Sequence, residues 1–149
     1  MSLRVDRRSF SVATESGIGF IDLSEHLRRG IAASGVRDGF AVISAPHTTT
    51  AIIVNEAEPR RLQETRAFLQ RLVPSDARYL HNDIHLRDCP PDEPENAHSH
   101  IAAVLLGHSQ IITVSDGRPA LGTYQSVLLA ELDGPRERTV TLQVMGTPA

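Results

Sequence analysis

The chain has 149 residues, 40% hydrophobic and 22% charged, which is typical of a soluble globular protein with its own core. We therefore predict a single domain over residues 1–149. Its formal net charge is −3 and its basic residues are scattered, which argues against a nucleic-acid partner. No apolar run approaches the roughly 20 residues that cross a bilayer, so we also predict no membrane partner.

The chain contains one cysteine and no lysine. The single cysteine, Cys89, excludes an internal disulfide, which makes the reducing cytoplasm the expected location. All basic side chains other than the histidines are arginines. The chain can therefore supply neither a Schiff-base lysine nor a phosphate-loop lysine.

Helix and strand patterns are mixed in the N-terminal half. Leu23, Leu27 and Ile31 recur at helical spacing, and Gly35 suits the residue that follows a helix. Farther on, leucines among arginines and glutamates predict an amphipathic helix that Pro74 ends. The predicted elements are an edge-type strand at 4–14, a turn at 15–19, a helix starting near Asp22, buried strands at 40–45 and 51–54, and a helix at 56–73.

A loop, a helix and three strands are predicted for the C-terminal half. Residues 88–95 contain three prolines and four acidic residues, which predicts a loop. Asn96 is the predicted N-cap of a helix that runs through Leu106 and ends at Gly107. The predicted strands are 111–114, 122–132 and 138–145, with Asp116-Gly117 as a hairpin turn between the first two. Because strands and helices do not alternate strictly, we predict an α+β fold with a largely antiparallel sheet.

Residues 79–109 hold five of the seven histidines and the only cysteine. If the segment is extended, His81 and Asp83 project to the same side roughly 7 Å apart, close enough to converge on one divalent ion. The alternative is that Asp83 only orients His81. His98 and His100 would point in nearly opposite directions on a regular helix. Either His98 lies before the first helical turn, or only one of them can serve such an ion, and His100 is preferred.

His47 stands at the end of a predicted strand and is followed by three threonines. Consecutive β-branched residues favour extended structure, and the hydroxyl and amide groups of Thr48 and Thr49 can hold a phosphate or finish a turn. Arg87 and Arg136 are the arginines that we expect to face an anionic substrate. His26 and His108 are expected on the surface.

Two kinds of metal site are compatible with these residues. His47, His81 and His100 come from different segments and would form a catalytic-type zinc site with an open position. A magnesium site would depend instead on the carboxylates of Asp83, Glu56 and Glu131. The spacing does not choose between Zn²⁺ and Mg²⁺.

Three stretches of the chain, in this order, resemble one protein family. They are H-T-T-T-A-I-I-V-N-E at 47–56; H-N-D at 81–83 together with E-N-A-H-S-H-I-A-A-V-L-L-G-H-S at 95–109; and L-G-T-Y-Q-S-V-L-L-A-E-L-D-G-P-R at 121–136. They resemble the YjbQ-like family of secondary thiamine-phosphate synthase enzymes, and the resemblance extends from about residue 10 to residue 145. His108 stands where the family usually has proline, and Tyr124 where it often has tryptophan.

The resemblance implies an α+β fold with β-sandwich-like sheets and packed helices, commonly assembled as a homotrimer. It implies that a small phosphorylated metabolite is bound, and that hydroxymethylpyrimidine diphosphate and thiazole phosphate are joined with release of pyrophosphate. The catalytic residues on this interpretation are His47, His81, Asp83, His100 and Glu131. The substrate-binding residues are Thr48, Thr49, Asn55, Glu56, Arg87, Ser109, Gly122, Tyr124, Gln125 and Arg136.

Two other functions remain open. The number of histidines favours a zinc-dependent hydrolase of a small phosphorylated or acyl substrate over a magnesium enzyme. A module that binds a small anion without converting it needs the same pocket but no catalytic group.

Overall fold

Eight strands form two antiparallel sheets in residues 2–148, the part of the chain that this computed structural model describes. The strands are β1 (Arg4–Ala13), β2 (Gly17–Asp22), β3 (Val36–Ser44), β4 (Thr50–Asn55), β5 (Ser109–Ser115), β6 (Arg118–Pro119), β7 (Ser126–Gly134) and β8 (Glu137–Pro148). The helices are α1 (Ser24–Ser34), α2 (Pro59–Leu72) and α3 (Ala97–Leu106), and two short 3-10 turns lie at Leu80–Asn82 and Ile84–Leu86.

The two sheets differ in size and share no strand. The larger has the order β1-β8-β3-β5-β6, and the smaller has the order β2-β7-β4. Every strand pair is antiparallel, so the predicted α+β fold with antiparallel, sandwich-like sheets is confirmed. β1 lies at an edge, as its sequence predicts.

The core lies between the sheets, and β7 is buried on both of its faces. Val127 and Leu129 belong to the main core together with residues of β3, β5, β8 and α1. Ala130 and Leu132 point the other way, into a smaller cluster with Leu69 of α2 and Ala102 of α3. This two-sided burial explains why β7 reads as a continuous apolar run rather than an alternating one. α2 and α3 therefore cover the outer face of the smaller sheet.

Local signals place the helix ends. Gly35 follows α1 in the left-handed conformation, with φ of 67°, as predicted. α2 starts at Pro59, three residues later than predicted, because the Glu58 side chain accepts hydrogen bonds from the amides of Arg60 and Arg61.

Two expectations for the strands were wrong. Residues 17–22 form β2, although the sequence was interpreted as a turn through residue 19. The Asp116-Gly117 turn does not join β5 to the strand that begins near residue 122. It joins β5 to the two-residue β6, and β7 then enters the other sheet.

Helix length also bears on the membrane prediction. Among residues 2–148, no helix combines the length and the apolar character that a bilayer crossing requires.

The close approach of β3 and β8 gives a test of this packing. A Cβ at Gly39 would collide with the backbone carbonyl oxygen of Met145 on β8, whereas a Cβ at Gly19 on β2 would meet nothing within 4 Å. We expect Gly39→Ala to lower the free energy of unfolding by about 1–3 kcal/mol through overpacking. Gly19→Ala is the control and should change it little. Urea unfolding of both variants measures the difference, and equal midpoints would contradict the packing of β3 on β8.

Candidate functional site

A buried ion pair joins the two sheets at one end of the sandwich. Arg138 on β8 and Glu131 on β7 are 5% and 1% exposed. Arg138 donates from Nε to Glu131 Oε2 and from Nη2 to Glu131 Oε1, both at 2.7 Å. Two parallel charge-assisted bonds of this kind fix the guanidinium in one orientation. The pair therefore determines how the ends of β7 and β8 face each other.

Neighbouring groups make further hydrogen bonds to both residues of this pair. Thr14 donates its hydroxyl to Glu131 Oε2 at 2.8 Å, and the Asp133 amide donates to Oε1 at 2.9 Å. Arg138 Nη2 also donates to Thr49 Oγ1 at 2.8 Å. Burial alone raises the pKa of Glu131, but the hydrogen bonds from Arg138, Asp133 and Thr14 outweigh it, so the pKa is lowered and the carboxylate is charged.

A cavity of about 580 Å³ lies beside the ion pair and is called the main cavity below. Its lining comes from the segment between β3 and β4, the loop before α3, α3 itself and the start of β8. The lining residues are Ala45, Pro46, His47, Thr48, Thr49, Glu93, Pro94, Asn96, His100, His108, Arg136 and Arg138. The acidic, proline-rich loop thus contributes directly to the wall, through Glu93 and Pro94.

His47 lines the main cavity, and a backbone contact determines which of its nitrogens carries the proton. Its Nε2 accepts a hydrogen bond of 2.9 Å from the backbone amide of Thr139. A neutral imidazole has one acceptor nitrogen, so Nδ1 carries the proton. Burial, and then the charge of Arg138, lower the pKa of His47, which keeps the ring neutral at pH 7.

His81 and His100 are in contact with each other. Their rings meet edge to face with centroids 4.8 Å apart. Burial and the neighbouring His81 lower the pKa of His100. His81 Nε2 is buried and has no hydrogen-bond partner within residues 2–148. His81 is held through its backbone, because Arg87 Nη1 donates to its carbonyl oxygen at 2.8 Å.

Asn82 explains why these two histidines meet. Its Oδ1 accepts a hydrogen bond of 3.1 Å from the amide of Ala97, the first residue of α3. The side chain thereby caps a helix that lies fifteen residues farther along the chain. The cap attaches the 81–83 segment to α3 and places His81 beside His100.

Contrary to the prediction, the Asn96 side chain does not cap α3 but points toward β7. It precedes α3, as expected, but its side chain makes no capping hydrogen bond. Instead its Nδ2 donates to Asp133 Oδ2 at 2.7 Å, and Arg136 Nη2 donates to the same oxygen at 2.8 Å. Ser99 adds a bond of 2.6 Å to the carbonyl of Leu132, so α3 is fixed to the end of β7.

A second cavity, of about 430 Å³, adjoins the first and shares His47, Thr48, His100 and His108 with it. His108 was expected on the surface; it is exposed, and it lines both cavities.

The large apolar residues of α3 are not part of the core. Val104 is 83% exposed, and Ile101 and Leu105 are exposed as well. His100 therefore lies next to an exposed apolar face. The small residues Ala97, Ser99 and Ala102 are the buried ones, because they let α3 approach the smaller sheet closely.

The predicted site residues divide into two groups. His47, Thr48, Thr49, His100 and Arg136 line the main cavity. Three further predicted residues contact the lining or its neighbours. Glu131 pairs with Arg138, and the His81 ring contacts His100. Arg87 donates a hydrogen bond to the backbone carbonyl of His81. Ser109 begins β5, next to His108.

The second group is at the opposite end of the smaller sheet. Thr50 pairs with Glu131 near the cavity, whereas Asn55 pairs with Ser126 at the far end of β4, roughly 17 Å away. This exposed group comprises Asn55, Glu56, Gly122, Tyr124 and Gln125. A single chain does not bring it to the histidines.

Asp83 also differs from the expectation. Its segment forms 3-10 turns rather than an extended strand, and its carboxylate pairs with Arg78 at 2.7 Å. The hydrogen bond from Arg78 lowers the pKa of Asp83. Within residues 2–148, no three His, Cys, Asp or Glu side chains are grouped so as to hold a metal ion.

Three residues of this site were not predicted as site residues from the sequence: Arg138, Asp133 and Asn96. Arg138 had a detectable signal. It occupies the inward position of the alternation Arg138, Val140, Leu142, and Glu131 interrupts an apolar run. Two opposite charges at inward positions of buried strands indicate an internal ion pair.

The buried pair gives a stability test. Glu131→Gln would leave Arg138 without its charge partner, and we expect a loss of about 3–5 kcal/mol in the free energy of unfolding. The control is Glu25→Gln, which removes an exposed pair with Arg29 and should cost no more than about 1 kcal/mol. Combining Glu131→Leu with Arg138→Met should cost less than Glu131→Gln alone. Urea unfolding measures all three, and equal losses for Glu131→Gln and Glu25→Gln would refute the assignment.

The same variant has a pH signature. Because the folded-state pKa of Glu131 is lowered, its contribution is complete above the ordinary pKa of glutamate and disappears as pH falls through the folded value. The stability gap between wild type and Glu131→Gln should therefore narrow in acid. A gap that widens as pH falls would contradict the charged state of Glu131.

The Asn82 cap gives a second test. Asn82→Ala should lower the free energy of unfolding by about 1 kcal/mol and change the NMR signals of the His81 and His100 rings. Asn55→Ala is the matched control, because Asn55 is exposed and accepts only from the adjacent Glu56 amide. If both variants leave the histidine signals unchanged, Asn82 does not position His81.

Comparison with known proteins agrees with this fold. The model of the family described as UPF0047 protein YjbQ-like matches residues 8–147. A UPF0047 protein from Methanothermobacter thermautotrophicus is 38% identical over 146 residues, covering 98% of this chain and 96% of the relative. Another from Archaeoglobus fulgidus is 34% identical over 135 residues, covering 91% and 98%.

Two crystal structures are similar over nearly their whole length. A hypothetical protein from Aeropyrum pernix K1 has a TM-score of 0.86 and 36% identity, covering 95% of this chain and 98% of that one. A YbjQ-like protein of unknown function from Sulfolobus solfataricus has a TM-score of 0.88 and 28% identity, covering 97% and 99%. The chain described here therefore belongs to the YjbQ-like UPF0047 family.

Proposed function

We propose that the protein is an enzyme that binds a small phosphorylated metabolite in the main cavity. The observation that carries this proposal is the set of donors on the cavity wall: Arg136, Arg138 and the Nδ1–H of a neutral His47. Planar guanidinium groups suit the oxygens of a phosphate or diphosphate. The reaction that we propose is the one implied by the family resemblance, in which hydroxymethylpyrimidine diphosphate and thiazole phosphate form thiamine phosphate.

This reaction makes simple demands on the protein. The ring nitrogen of the thiazole supplies an electron pair to the methylene carbon of the pyrimidine, and a C–N bond forms. The C–O bond to the diphosphate breaks, and pyrophosphate leaves with that electron pair. The attacking nitrogen carries no proton, so none has to be removed. The main requirement is stabilisation of the negative charge that develops on the leaving oxygens.

The cavity donors are suited to this role. The hydrogen bonds of Arg138 within residues 2–148 use Nε and Nη2, so its Nη1 remains for a ligand. Arg136 bonds Asp133 through Nε and Nη2 in a similar way. Both guanidiniums are oriented before a ligand arrives, which avoids reorganisation during the reaction.

The implied divalent metal fits these residues in part. His81 fits, because its Nε2 is buried without a partner and lies in a ring that contacts His100. His47 does not fit in this arrangement, because its one acceptor nitrogen is taken by the Thr139 amide. A Zn²⁺ ion held by His81 and His100 would help to neutralise a diphosphate, whereas Mg²⁺ prefers oxygen ligands and is not suited to two histidines.

A zinc-dependent hydrolase is the second candidate. The unpartnered Nε2 of His81 favours it, since a histidine metal ligand needs such a free nitrogen. The two activities differ in their products, because a hydrolase releases phosphate or pyrophosphate from one precursor alone. A binding module would leave both precursors intact.

The homotrimer also enters as a proposal. The exposed residues Ile101, Val104 and Leu105 on α3 support it, since a face of this kind is suited to burial against another subunit. The exposed group around Asn55 and Tyr124 can then approach the histidines of a neighbouring copy. A cytoplasmic location remains a prediction from the single cysteine.

The proposal is tested by incubating the purified protein with both precursors and Mg²⁺. We expect thiamine phosphate and pyrophosphate in equal amounts, and Arg136→Met should lower kcat/KM by about 10- to 100-fold through loss of a phosphate donor. Arg118→Met, on β6 and outside the main cavity, is the matched control and should keep full activity. Absence of thiamine phosphate above the enzyme-free background would refute the transferase. Pyrophosphate or phosphate release from one precursor alone would identify the hydrolase instead.

A further inference from the structure

One buried acceptor at the main cavity, on Asn96, has no role in the reaction proposed above. Asn96 is 6% exposed and lines the cavity, and its Oδ1 has no hydrogen-bond partner within residues 2–148. A buried carbonyl oxygen that gives up water without gaining a donor destabilises the folded protein. Such an atom therefore indicates a group that arrives from outside the chain.

The orientation of the Asn96 amide is fixed by its neighbours. An ionised carboxylate only accepts hydrogen bonds, so the nitrogen of the amide must face Asp133 Oδ2, 2.7 Å away. Arg136 Nη2 donates to the same oxygen at 2.8 Å and holds that carboxylate in place. Turning the amide over would place two oxygens against each other, so Oδ1 remains the free atom.

Asn96 does not cap α3, although it is the residue that precedes the helix. Asparagine before a helix usually accepts a bond from the first turn. Here Asn82 accepts the bond from Ala97 instead. Two asparagines thus share the start of α3, one as its cap and the other turned toward β7 and the cavity.

The lining of the main cavity consequently contains both donors and acceptors. Arg136, just before β8, and Arg138, on β8, provide donors, whereas Asn96 and Glu93, from the segment before α3, provide acceptors. A plain anion uses only the donors. A ligand that uses both carries an anionic group and N–H donors.

We propose that Asn96 is a specificity-determining residue, whose Oδ1 accepts a hydrogen bond from an exocyclic amine of the bound phosphorylated ligand. An amine offers two N–H donors, one for Asn96 and one for Glu93, while the arginines hold the phosphate. This inference rests on the proposed function in placing a phosphorylated ligand in the main cavity. It requires selective binding and not turnover.

Binding measurements by titration calorimetry test the inference with three probes. They are hydroxymethylpyrimidine diphosphate, which carries a ring amine; its analogue with hydrogen in place of that amine; and inorganic pyrophosphate. We expect wild type to bind the amine-bearing probe about tenfold more tightly than the analogue. Asn96→Leu should bind both organic probes equally, and its affinity for pyrophosphate shows separately whether Arg136, which shares Asp133 with Asn96, has been disturbed. Gln63→Leu, at an exposed position of α2 outside both cavities, should keep the tenfold preference.

Equal binding of the two organic probes by wild type would overturn the inference, and that comparison needs no variant to fold. A preference that persists in Asn96→Leu would overturn it as well, as would absence of binding of all three probes. Amine-selective binding without formation of thiamine phosphate would support the role of Asn96 while refuting the transferase reaction.

Discussion

The candidate site depends on one interaction, the buried pair between Arg138 and Glu131. Each residue occupies an inward position on its strand, so the pair lies between the two sheets, where the apolar core ends. A charge in that place is tolerated only because its partner and the hydroxyls of Thr14 and Thr49 satisfy it. Arg138 also lines the main cavity, and these bonds do not use its Nη1. The residue that closes the core thus also forms part of the wall of the site.

A second constraint brings distant segments of the chain to this wall. Asn82 caps α3, Ser99 and Asn96 attach α3 to the end of β7, and the Thr139 amide holds His47. Each attachment is a hydrogen bond to backbone or to a fixed carboxylate, so the side chains have little freedom to move. Sites held in this way are arranged before a ligand binds, which lowers the ordering cost of binding.

The antiparallel pairing of β4 and β7 explains why residues of a single family motif lie far apart in the structure. The 47–56 motif runs the length of β4, and the 121–136 motif runs the length of β7. Because these strands pair antiparallel, each motif has one end at the main cavity and the other at the opposite edge of the sheet. Residues of one motif can therefore serve two different surfaces.

The sequence by itself determined the fold class, most elements and the cavity histidines. Helical spacing, Gly35 and the density of histidines between 79 and 109 are signals contained in short stretches of the sequence. Only the tertiary structure decided which side chains are partners. The capping of α3 by Asn82 and the pairing of Arg138 with Glu131 depend on how distant strands and loops meet. Local sequence patterns do not show which partner a polar side chain will bind. When several partners are available, the hydrogen bond forms with the one that the fold brings within reach.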